Sequence, residues 1–376
     1  MAERDFWVAF STFPFIGPKR FKLLVEYFGS SKGAWEAPLG EIREIGMSEK
    51  LAVSFEKHRK GFDLGGYLGR LEKLGIGVVT FNDAEYPERL KAIDDAPFLL
   101  YVKMAPLRSA ESSAGQLPRM SLCDTSNLAV AVVGTRRITS YGRDVCERIT
   151  TGLVDAGVTI VSGLALGTDA VSHKAALDAG GNTIAVLGNG LDTVYPASNR
   201  ALAEKMLSSG QGILVSEYPL GYPARPENFP VRNRIVSGMS LAVVVIEGTR
   251  KSGTLLTASL AAKQGRDVFA VPGQITSPMS QAPHLLIKNG AKLVENVEDI
   301  LEELDIKAMG IRQEAIGILP NTEEEGKLLE LLETEGLELD SIVRISDLQA
   351  GVVLATLTNM EMKGLVKNVG GVYVKK

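Results

Sequence analysis

Cysteine and histidine are scarce in this sequence, and their scarcity excludes two classes of protein. Two cysteines, Cys123 and Cys146, do not make the disulfide framework of a small secreted domain, so we expect a reducing, cytoplasmic environment. The three histidines, His58, His173 and His284, lie far apart, and no Cys/His cluster has the spacing of a metal site. We therefore expect no metal and no cofactor.

Long apolar runs are also missing. No stretch reaches the ~20 apolar residues that a membrane helix needs, and residues 1–7 lack the basic and apolar regions of a signal peptide. Hydrophobic residues make up 45% and charged residues 23% of the 376 residues, which is ordinary for a globular protein with a substantial core. The sequence predicts a cytoplasmic protein of two or three domains with no membrane partner.

The net charge of −4 is unevenly distributed along the chain. Residues 1–127 are neutral overall, residues 128–293 carry 16 basic and 11 acidic side chains, and residues 294–376 carry 8 basic and 17 acidic ones. An excess of positive charge in the middle indicates an anionic ligand there, and the acidic end indicates a different partner.

The middle of the chain repeats a strand, a turn of small or polar residues and a helix. Continuous apolar runs at 128–133, 158–161, 183–187, 212–215, 241–246 and 267–271 each precede such a turn. Buried strands that alternate with helices predict an α/β fold with a Rossmann-like, doubly wound, mostly parallel sheet, covered by helices on both faces. Ligands of such sheets bind at the carboxyl ends of the strands, where all these turns lie.

Smaller regions flank this core. Residues 1–75 show short helical patterns of a SAM-like or helix-hairpin-helix type, including a Gly17-Pro18 turn whose following helix can present N–H groups to a phosphate. The sheet domain is predicted over 76–310, with its core at 128–293 and a loop, rich in Ser, Ala, Pro and Gly, at 104–127. Helical patterns and a hairpin predict a winged-helix domain over 320–376.

Basic residues lie beside the turns of the core. Arginine and lysine side chains, together with serine hydroxyls and free backbone amides, suit a chain of phosphates. The turns match neither GxGxxG nor the Walker A pattern, so standard dinucleotide and P-loop sites are not predicted. The basic residues in question are Arg136 and Arg137 after the first strand, Arg232 and Arg234 on either side of Asn233, and Arg250 and Lys251 before Ser252-Gly253-Thr254.

These motifs, in this order and spacing, resemble the DprA/Smf family. The resemblance extends to Gly17-Pro18, to residues 86–101 and to the winged tail, and so covers nearly the whole chain. It implies a protein, not an enzyme, that binds and protects single-stranded DNA and helps to load RecA recombinase during DNA uptake, natural transformation and recombination. It also implies a homodimer formed through the Rossmann-like domain. The matching residues are 133–136, 162–170, His173, 185–192, Tyr195-Pro196, 216–219, 229–238, Glu247, 252–254 and 271–273.

The resemblance also implies a basic DNA-binding pocket and no catalytic residue. The arginine of the family's Gly-x-Arg turn corresponds to Arg136, and the basic residue before its Ser-Gly turn corresponds to Lys251 or Arg250. Arg232 and Arg234 either hold phosphates or structure the pocket, and His173 is expected to be structural. The expected DNA-binding residues are Gly134, Thr135, Arg136, Arg137, Ser162, Gly163, Asn189, Arg232, Asn233, Arg234, Arg250, Lys251, Ser252, Gly253 and Thr254.

Few aromatic residues accompany these turns. Phe229 and Tyr218 are the nearby candidates for stacking on a base, and core packing is the alternative for both. The winged tail is acidic, with 10 acidic and 6 basic residues over 321–376. Since phosphate contacts dominate affinity for nucleic acid, we expect the tail to contact protein or to modulate binding rather than to grip duplex DNA.

Two other functions stay open. The sheet and its glycine turns also resemble nucleotide phosphoribohydrolases once described as lysine decarboxylases, although their Pro-Gly-Gly-x-Gly-Thr motif followed by Glu is absent here. Asp169, Glu217 and Glu247 are the acids in the motif turns that such an enzyme could use. The third possibility is an adaptor for which nucleic-acid binding is secondary.

Overall fold

The computed structural model describes residues 1–105, 121–306, 322–332, 336–346, 348–362, 366–369 and 371–375. The chain divides into two units, Met1–Ala308 and Met309–Lys376. Within the described residues no single helix is long and apolar enough to cross a membrane. The boundary that the sequence predicts near residue 75, inside the first unit, stays a prediction.

A nine-stranded sheet organises the described part of the first unit. Its spatial order is β1-β2-β6-β5-β4-β3-β7-β8-β9, and pairing is parallel from β6 through β9 and antiparallel at β1 and β2. The predicted doubly wound, mostly parallel sheet is therefore confirmed. The strands are β1 (Ile76–Thr80), β2 (Leu99–Lys103), β3 (Ala129–Val133), β4 (Thr159–Ser162), β5 (Thr183–Leu187), β6 (Gly212–Ser216), β7 (Ala242–Val245), β8 (Asp267–Ala270) and β9 (Lys292–Leu293).

Helices cover both faces of the sheet, as continuous apolar strands require. In β3, Ala129, Ala131 and Val133 face one core, while Val130 and Val132 face the other, because successive side chains of a strand point to opposite faces. The helices of this part are α7 (Glu88–Lys91), α8 (Leu122–Asn127), α9 (Ser140–Asp155), α10 (Thr168–Asp178), α11 (Arg200–Ser208), α12 (Asn228–Gly238), α13 (Gly253–Lys263), α14 (Gln281–Lys288) and α15 (Glu298–Glu303).

The direction of winding reverses at β3. From β3 the chain steps outward through β4, β5 and β6, and it then crosses through α12 to β7 on the other side of β3. The loops that leave β3 and β7 therefore diverge towards opposite faces. They open a crevice at the carboxyl edge of the sheet, which is where open α/β sheets bind ligands.

Six helices precede the sheet and pack on an aromatic core. Phe10 stacks on Phe55 with ring centroids 5.5 Å apart, and Trp35 meets both rings edge-on. The predicted helix after Gly17 begins at Pro18 and ends at a left-handed Gly29 with φ of 75°. The helices are α1 (Glu3–Ser11), α2 (Pro18–Phe28), α3 (Ser31–Glu36), α4 (Leu39–Glu44), α5 (Glu49–Gly61) and α6 (Leu64–Lys73).

The loop predicted at 104–127 is wrong at its C-terminal end, where α8 forms. Ser121 caps this helix by accepting a hydrogen bond from the backbone N–H of Asp124 at 3.5 Å, and Leu122 is buried in the core below. The polar sequence after Leu122 has no helical spacing of apolar residues, so the pattern did not reveal the helix. Residues 106–120 of the predicted loop lie outside the described residues.

The second unit contains helices and a small antiparallel sheet in the order β10-β12-β11. Leu328, Ile342, Val353 and Leu357 are buried in its core. The predicted winged helix is confirmed. It contains one further helix, α17 (Leu339–Ser346), that the sequence analysis missed. This apolar helix and the apolar helix that follows it, α18 (Ala350–Met362), meet at a bend of 116°. The elements are α16 (Glu323–Leu331), β10 (Leu337–Glu338), α17 (Leu339–Ser346), α18 (Ala350–Met362), β11 (Val366–Val369) and β12 (Val372–Lys375).

Candidate nucleic-acid interface

A pocket of about 690 Å³ lies at the crevice between the loops that leave β3 and β7, and we call it the switch-point pocket. Its wall is completed by the turn after β4 and by the first turns of α12. Ten of the residues expected to bind DNA line it: Gly134, Thr135, Arg136, Arg137, Gly163, Arg232, Asn233, Ser252, Gly253 and Thr254. Separate segments of the chain thus meet where the sequence predicted.

The turn after β3 places two arginines on the pocket. Gly134 lies against the side chain of Thr168 with no room for a Cβ atom. The backbone carbonyl of Thr135 accepts from the N–H of Thr168 at 3.1 Å, which holds the turn against the start of α10. Arg136 and Arg137 are exposed, and in the described part of the chain neither forms an ion pair. Both side chains are free to meet an anion.

Arg232 contributes a buried positive charge to the pocket. It is 4% exposed and donates to the carbonyl oxygens of Gly163, at 2.6 Å, and Val186. Burial lowers its pKa, but an arginine stays charged in a protein. The guanidinium of Arg232 occupies the space that a Cβ atom at position 163 would need, so glycine is required there. Among the described residues no carboxylate lies within ion-pair distance of Arg232, and the buried carboxylate of Asp169 acts on its charge from farther away.

The turn after β4 is shaped by Asp169. Its carboxylate accepts from the backbone N–H groups of Gly163 at 3.1 Å and Ala165 at 3.2 Å. Burial raises the pKa of this carboxyl, and the charge of Arg232 acts in the opposite direction. Leu164 between them has a φ of 56°, a left-handed conformation that costs ~1–3 kcal/mol. The N–H of Gly163 is therefore committed inside the protein.

An aromatic stack lies beside the exposed arginines. The rings of Tyr195 and Phe229 are 5.5 Å apart at 24°, and the guanidinium of Arg136 lies 5.3 Å from the centre of the Phe229 ring. Tyr195 is half exposed and lines the pocket. Sequence reasoning noted its Tyr-Pro pair only as part of a motif, because nothing along the chain connects it to Phe229. Tyr218, the other predicted stacking residue, lies outside this pocket and stacks on Tyr222 at 4.8 Å.

The start of α13 closes the pocket on the β7 side. Ser252 caps the helix by accepting from the N–H of Thr254 at 3.2 Å, and the first turn contains no acid. The positive end of the helix dipole therefore adds to the arginine charges. Arg250 and Lys251 are exposed on the preceding loop, between pocket-lining Thr249 and Ser252, but do not line the pocket themselves.

Three other expected residues serve the framework in this structure. The hydroxyl of Ser162 donates to the carbonyl of Val132 at 2.8 Å, beneath the pocket surface. The side-chain amide of Asn189 donates to the carbonyl of Thr193 at 2.9 Å. Arg234 is buried in ion pairs of 2.6 Å with Glu217 and 3.2 Å with Asp95. Of the two roles left open for Arg232 and Arg234, Arg234 structures its surroundings here, while Arg232 lines the pocket.

The acids of the motif turns all have internal donors, which disfavours the hydrolase alternative. Glu247 accepts from the backbone N–H of Thr139 at 2.9 Å and from its hydroxyl at 2.6 Å. Asp169 and Glu217 are engaged as described above. His173 is fully buried and bonded to Thr183 at 2.7 Å, and burial lowers its pKa to about 3, so it is neutral near pH 7.

Comparison with known families gives two matches. Residues 77–305 match the family of DNA recombination-mediator protein A, and residues 318–371 match the DprA winged helix domain. The first match covers the nine-stranded sheet and every segment of the switch-point pocket.

Individual relatives agree with the family models. Protein Smf of Synechocystis is 33% identical over all of this chain and 99% of its own length, and protein Smf of Escherichia coli is 40% identical over 81% of this chain and 79% of its own. Among solved structures, DNA processing protein A of Streptococcus pneumoniae superposes with a TM-score of 0.64 and 33% identity, over 80% of this chain and 97% of its own.

The DNA processing protein A of Helicobacter pylori has a TM-score of 0.51 and 26% identity, over 62% of this chain and 97% of its own, and its structure is described as showing a unique single-stranded DNA binding mode. The strand order and the motif turns agree with these matches. Together with the family models and the Smf proteins, they show that the chain belongs to the DprA/Smf family.

Proposed function

We propose that this protein binds single-stranded DNA in the switch-point pocket and passes the bound strand to the recombinase RecA during DNA uptake and recombination. The observation that carries the proposal is the arrangement of Arg136, Phe229 and Tyr195. It places an unpaired cation next to stacked, accessible aromatic rings. Phosphates and unstacked bases of a single strand need these two kinds of partner.

The charges of the pocket favour a polyanion over a neutral ligand. Arg136, Arg137 and Arg232 line it, and Asp169 is the acid among its lining residues. We propose the ten lining residues as direct DNA contacts, and Arg250 and Lys251 as contacts at its rim. Since the contacts are mainly to phosphates, we expect strong salt dependence and weak base preference.

The relatives support two parts of the proposal, recombination and the binding of single-stranded DNA. The family is described as a recombination mediator, and the H. pylori relative as a binder of single-stranded DNA. We carry both properties over to this chain. We also propose the cytoplasmic homodimer that the family resemblance implies, formed through the sheet-containing unit. Size-exclusion chromatography with light scattering tests the dimer, and an elution mass of one chain at micromolar concentration contradicts it.

Fluorescence anisotropy with labelled oligo-dT tests the pocket. The Arg136→Ala, Arg137→Ala double variant should bind at least tenfold more weakly than the wild type. Its slope of log affinity against log salt should be lower by about 1.4, because each single-strand phosphate contact contributes ~0.7. The matched control is Arg143→Ala, Arg148→Ala, which removes two exposed arginines from α9 without touching the pocket.

Two outcomes contradict the proposal. Equal weakening in the control variant shows that net charge matters and the pocket does not. No binding by the wild type at low salt removes single-stranded DNA as the ligand. RecA assembly on DNA separates the adaptor alternative: a pocket variant that no longer binds DNA but still promotes RecA assembly favours an adaptor.

A further inference from the structure

A second recess lies on the other side of the first turns of α12, which form one wall of the switch-point pocket. It measures about 210 Å³ and runs between the turn that connects α1 to α2 and residues 217–222, and we call it the hairpin groove. Pro230 lines the switch-point pocket, while its neighbour Val231 lines the groove. Neighbouring residues of α12 therefore line the two recesses.

The rim of the groove offers a place for a phosphate. Gly17 and Pro18, which line the groove, begin α2, an eleven-residue helix with no acid in its first turn. Lys19 and Arg20 follow and are exposed, and neither forms an ion pair within the described residues. A helix N-terminus with free N–H groups and adjacent cations favours an anion.

The wall of the groove contains buried polar atoms that lack partners. Arg234 is 6% exposed, and its Nη1 atom has no hydrogen-bond partner in the described structure. The same holds for Oε1 of Glu217. Both side chains line the groove. Such atoms cost ~1–3 kcal/mol each when unsatisfied, so a ligand that offers an acceptor next to a donor is favoured there. The Watson–Crick edge of each of the four bases has a hydrogen-bond acceptor beside a donor, so this wall suits a base without selecting one.

Aromatic side chains give the groove the shape of a base site. Tyr218 and Tyr222 stack on each other with ring centroids 4.8 Å apart, and both line the groove together with Phe98. The volume is below the ~300–1,000 Å³ of pockets for drug-sized ligands. It suits a single planar base rather than a whole nucleotide, which places the attached phosphate outside, at the start of α2.

We infer that the hairpin groove is a second nucleotide subsite, which takes one base of a single strand in the groove and its phosphate at Lys19 and Arg20. The DNA path then continues from the switch-point pocket across Val231 onto the N-terminal helices. This inference rests on the proposed function, because it extends the same bound strand. Short oligonucleotides fill the switch-point pocket alone, and longer ones reach both sites.

The test compares oligo-dT of about 4 and about 16 nucleotides, the limits of the range that a single groove covers. The Lys19→Ala, Arg20→Ala variant should bind the longer oligonucleotide about tenfold more weakly, with a salt slope lower by about 1.4, at ~0.7 per phosphate contact. Its affinity for the shorter one should equal that of the wild type. Lys50→Ala, Lys57→Ala removes two exposed lysines of α5 that lie outside the groove and should change neither affinity.

The outcomes separate the two proposals. If the wild type binds neither length, the proposed function fails. If the wild type binds both and the Lys19, Arg20 variant matches it, or loses affinity for both lengths equally, the groove is not a subsite while the pocket stands. A second experiment needs no variant: 5-iododeoxyuridine in the longer oligonucleotide should cross-link to Tyr218 or Tyr222 on irradiation. Cross-links confined to Tyr195 or Phe229 overturn the inference.

Discussion

Arg232 and Arg234 are two residues apart on α12, yet they serve two different recesses. Arg232 donates to backbone carbonyls below the switch-point pocket, and Arg234 is held between Glu217 and Asp95 beside the hairpin groove. Both are less than a tenth exposed, so burial does not distinguish them. The difference lies in the neighbouring carboxylates: two form ion pairs with Arg234, whereas Asp169 interacts with Arg232 only from beyond ion-pair distance.

The number of basic residues in a sequence cluster therefore does not give the number of residues that contact a ligand. A carboxylate within ion-pair distance neutralises most of a cation's field, especially where water is excluded. We therefore expect a phosphate in the switch-point pocket to contact Arg136, Arg137 and Arg232 rather than Arg234.

The largest effect is expected from Arg234→Ala. It leaves the largely buried carboxylate of Glu217 without its cation, and removal of one partner from a buried pair costs ~3–5 kcal/mol. Urea denaturation should show this loss of unfolding free energy. The matched control is Glu217→Gln with Arg234→Met, which removes both charges and should lose far less. A loss below ~1 kcal/mol in the single variant would show that the pair does not hold α12.

A smaller effect is expected from His173→Gln, which should change how the free energy of unfolding depends on pH. The His173 pKa of about 3 in the folded protein, against ~6.5 in the unfolded chain, means that the unfolded state binds a proton more readily between these values. Stability is therefore complete above pH 6.5 and falls as the pH is lowered. At pH 5 the wild type should lose about 2 kcal/mol, at ~1.36 kcal/mol per pH unit, more than His173→Gln does.

Urea denaturation at pH 7 and pH 5 measures this difference. His58→Gln is the comparison variant, because the pKa of half-buried His58 is also lowered by burial. Its effect on the pH dependence should be smaller than that of His173→Gln. An identical loss at pH 5 in the wild type and in His173→Gln contradicts the assignment.

The smallest effect is expected from Phe229→Ala. Stacking on an aromatic side chain contributes ~1–3 kcal/mol per base, so affinity for oligo-dT should fall roughly tenfold. The salt slope should stay unchanged, because no phosphate contact is removed. Phe229→Tyr keeps the ring and should bind like the wild type. A lower salt slope in Phe229→Ala would mean that the ring acts by holding Arg136 in place.

The fold was predictable because the apolar pattern of parallel strands is strong. Six runs along 128–271 correspond to β3 through β8, and each end is shifted by at most one residue, since each strand must be buried on both faces. Helices α8 and α17 were missed. Helix α8 is short and largely polar, so tertiary packing rather than periodicity stabilises it. Helix α17 does have apolar residues at helical spacing, Leu339, Ile342 and Val343, but its eight residues are few for a periodic signal, and the sequence analysis did not use them.

The candidate site was predictable in outline for a related reason. Loops at the carboxyl ends of parallel strands meet at one edge, so the order of the strands brings residues 134–137 and 252–254 together. Side-chain orientation was not predictable. The hydroxyl of Ser162 points into the core towards Val132, and the ring of Tyr195 stacks on Phe229. Both orientations depend on residues that are distant in sequence.

Apolar periodicity and glycine turns are local properties of the chain, so the sequence alone predicts the sheet, the winged helix and the edge of the sheet where the switch-point pocket lies. The folded structure is needed to see which arginine forms ion pairs and which aromatic rings stack. It also decided that α12 separates two recesses. These properties depend on contacts between residues distant in sequence, such as Arg234 with Glu217 and Asp95, whose distances no local pattern contains.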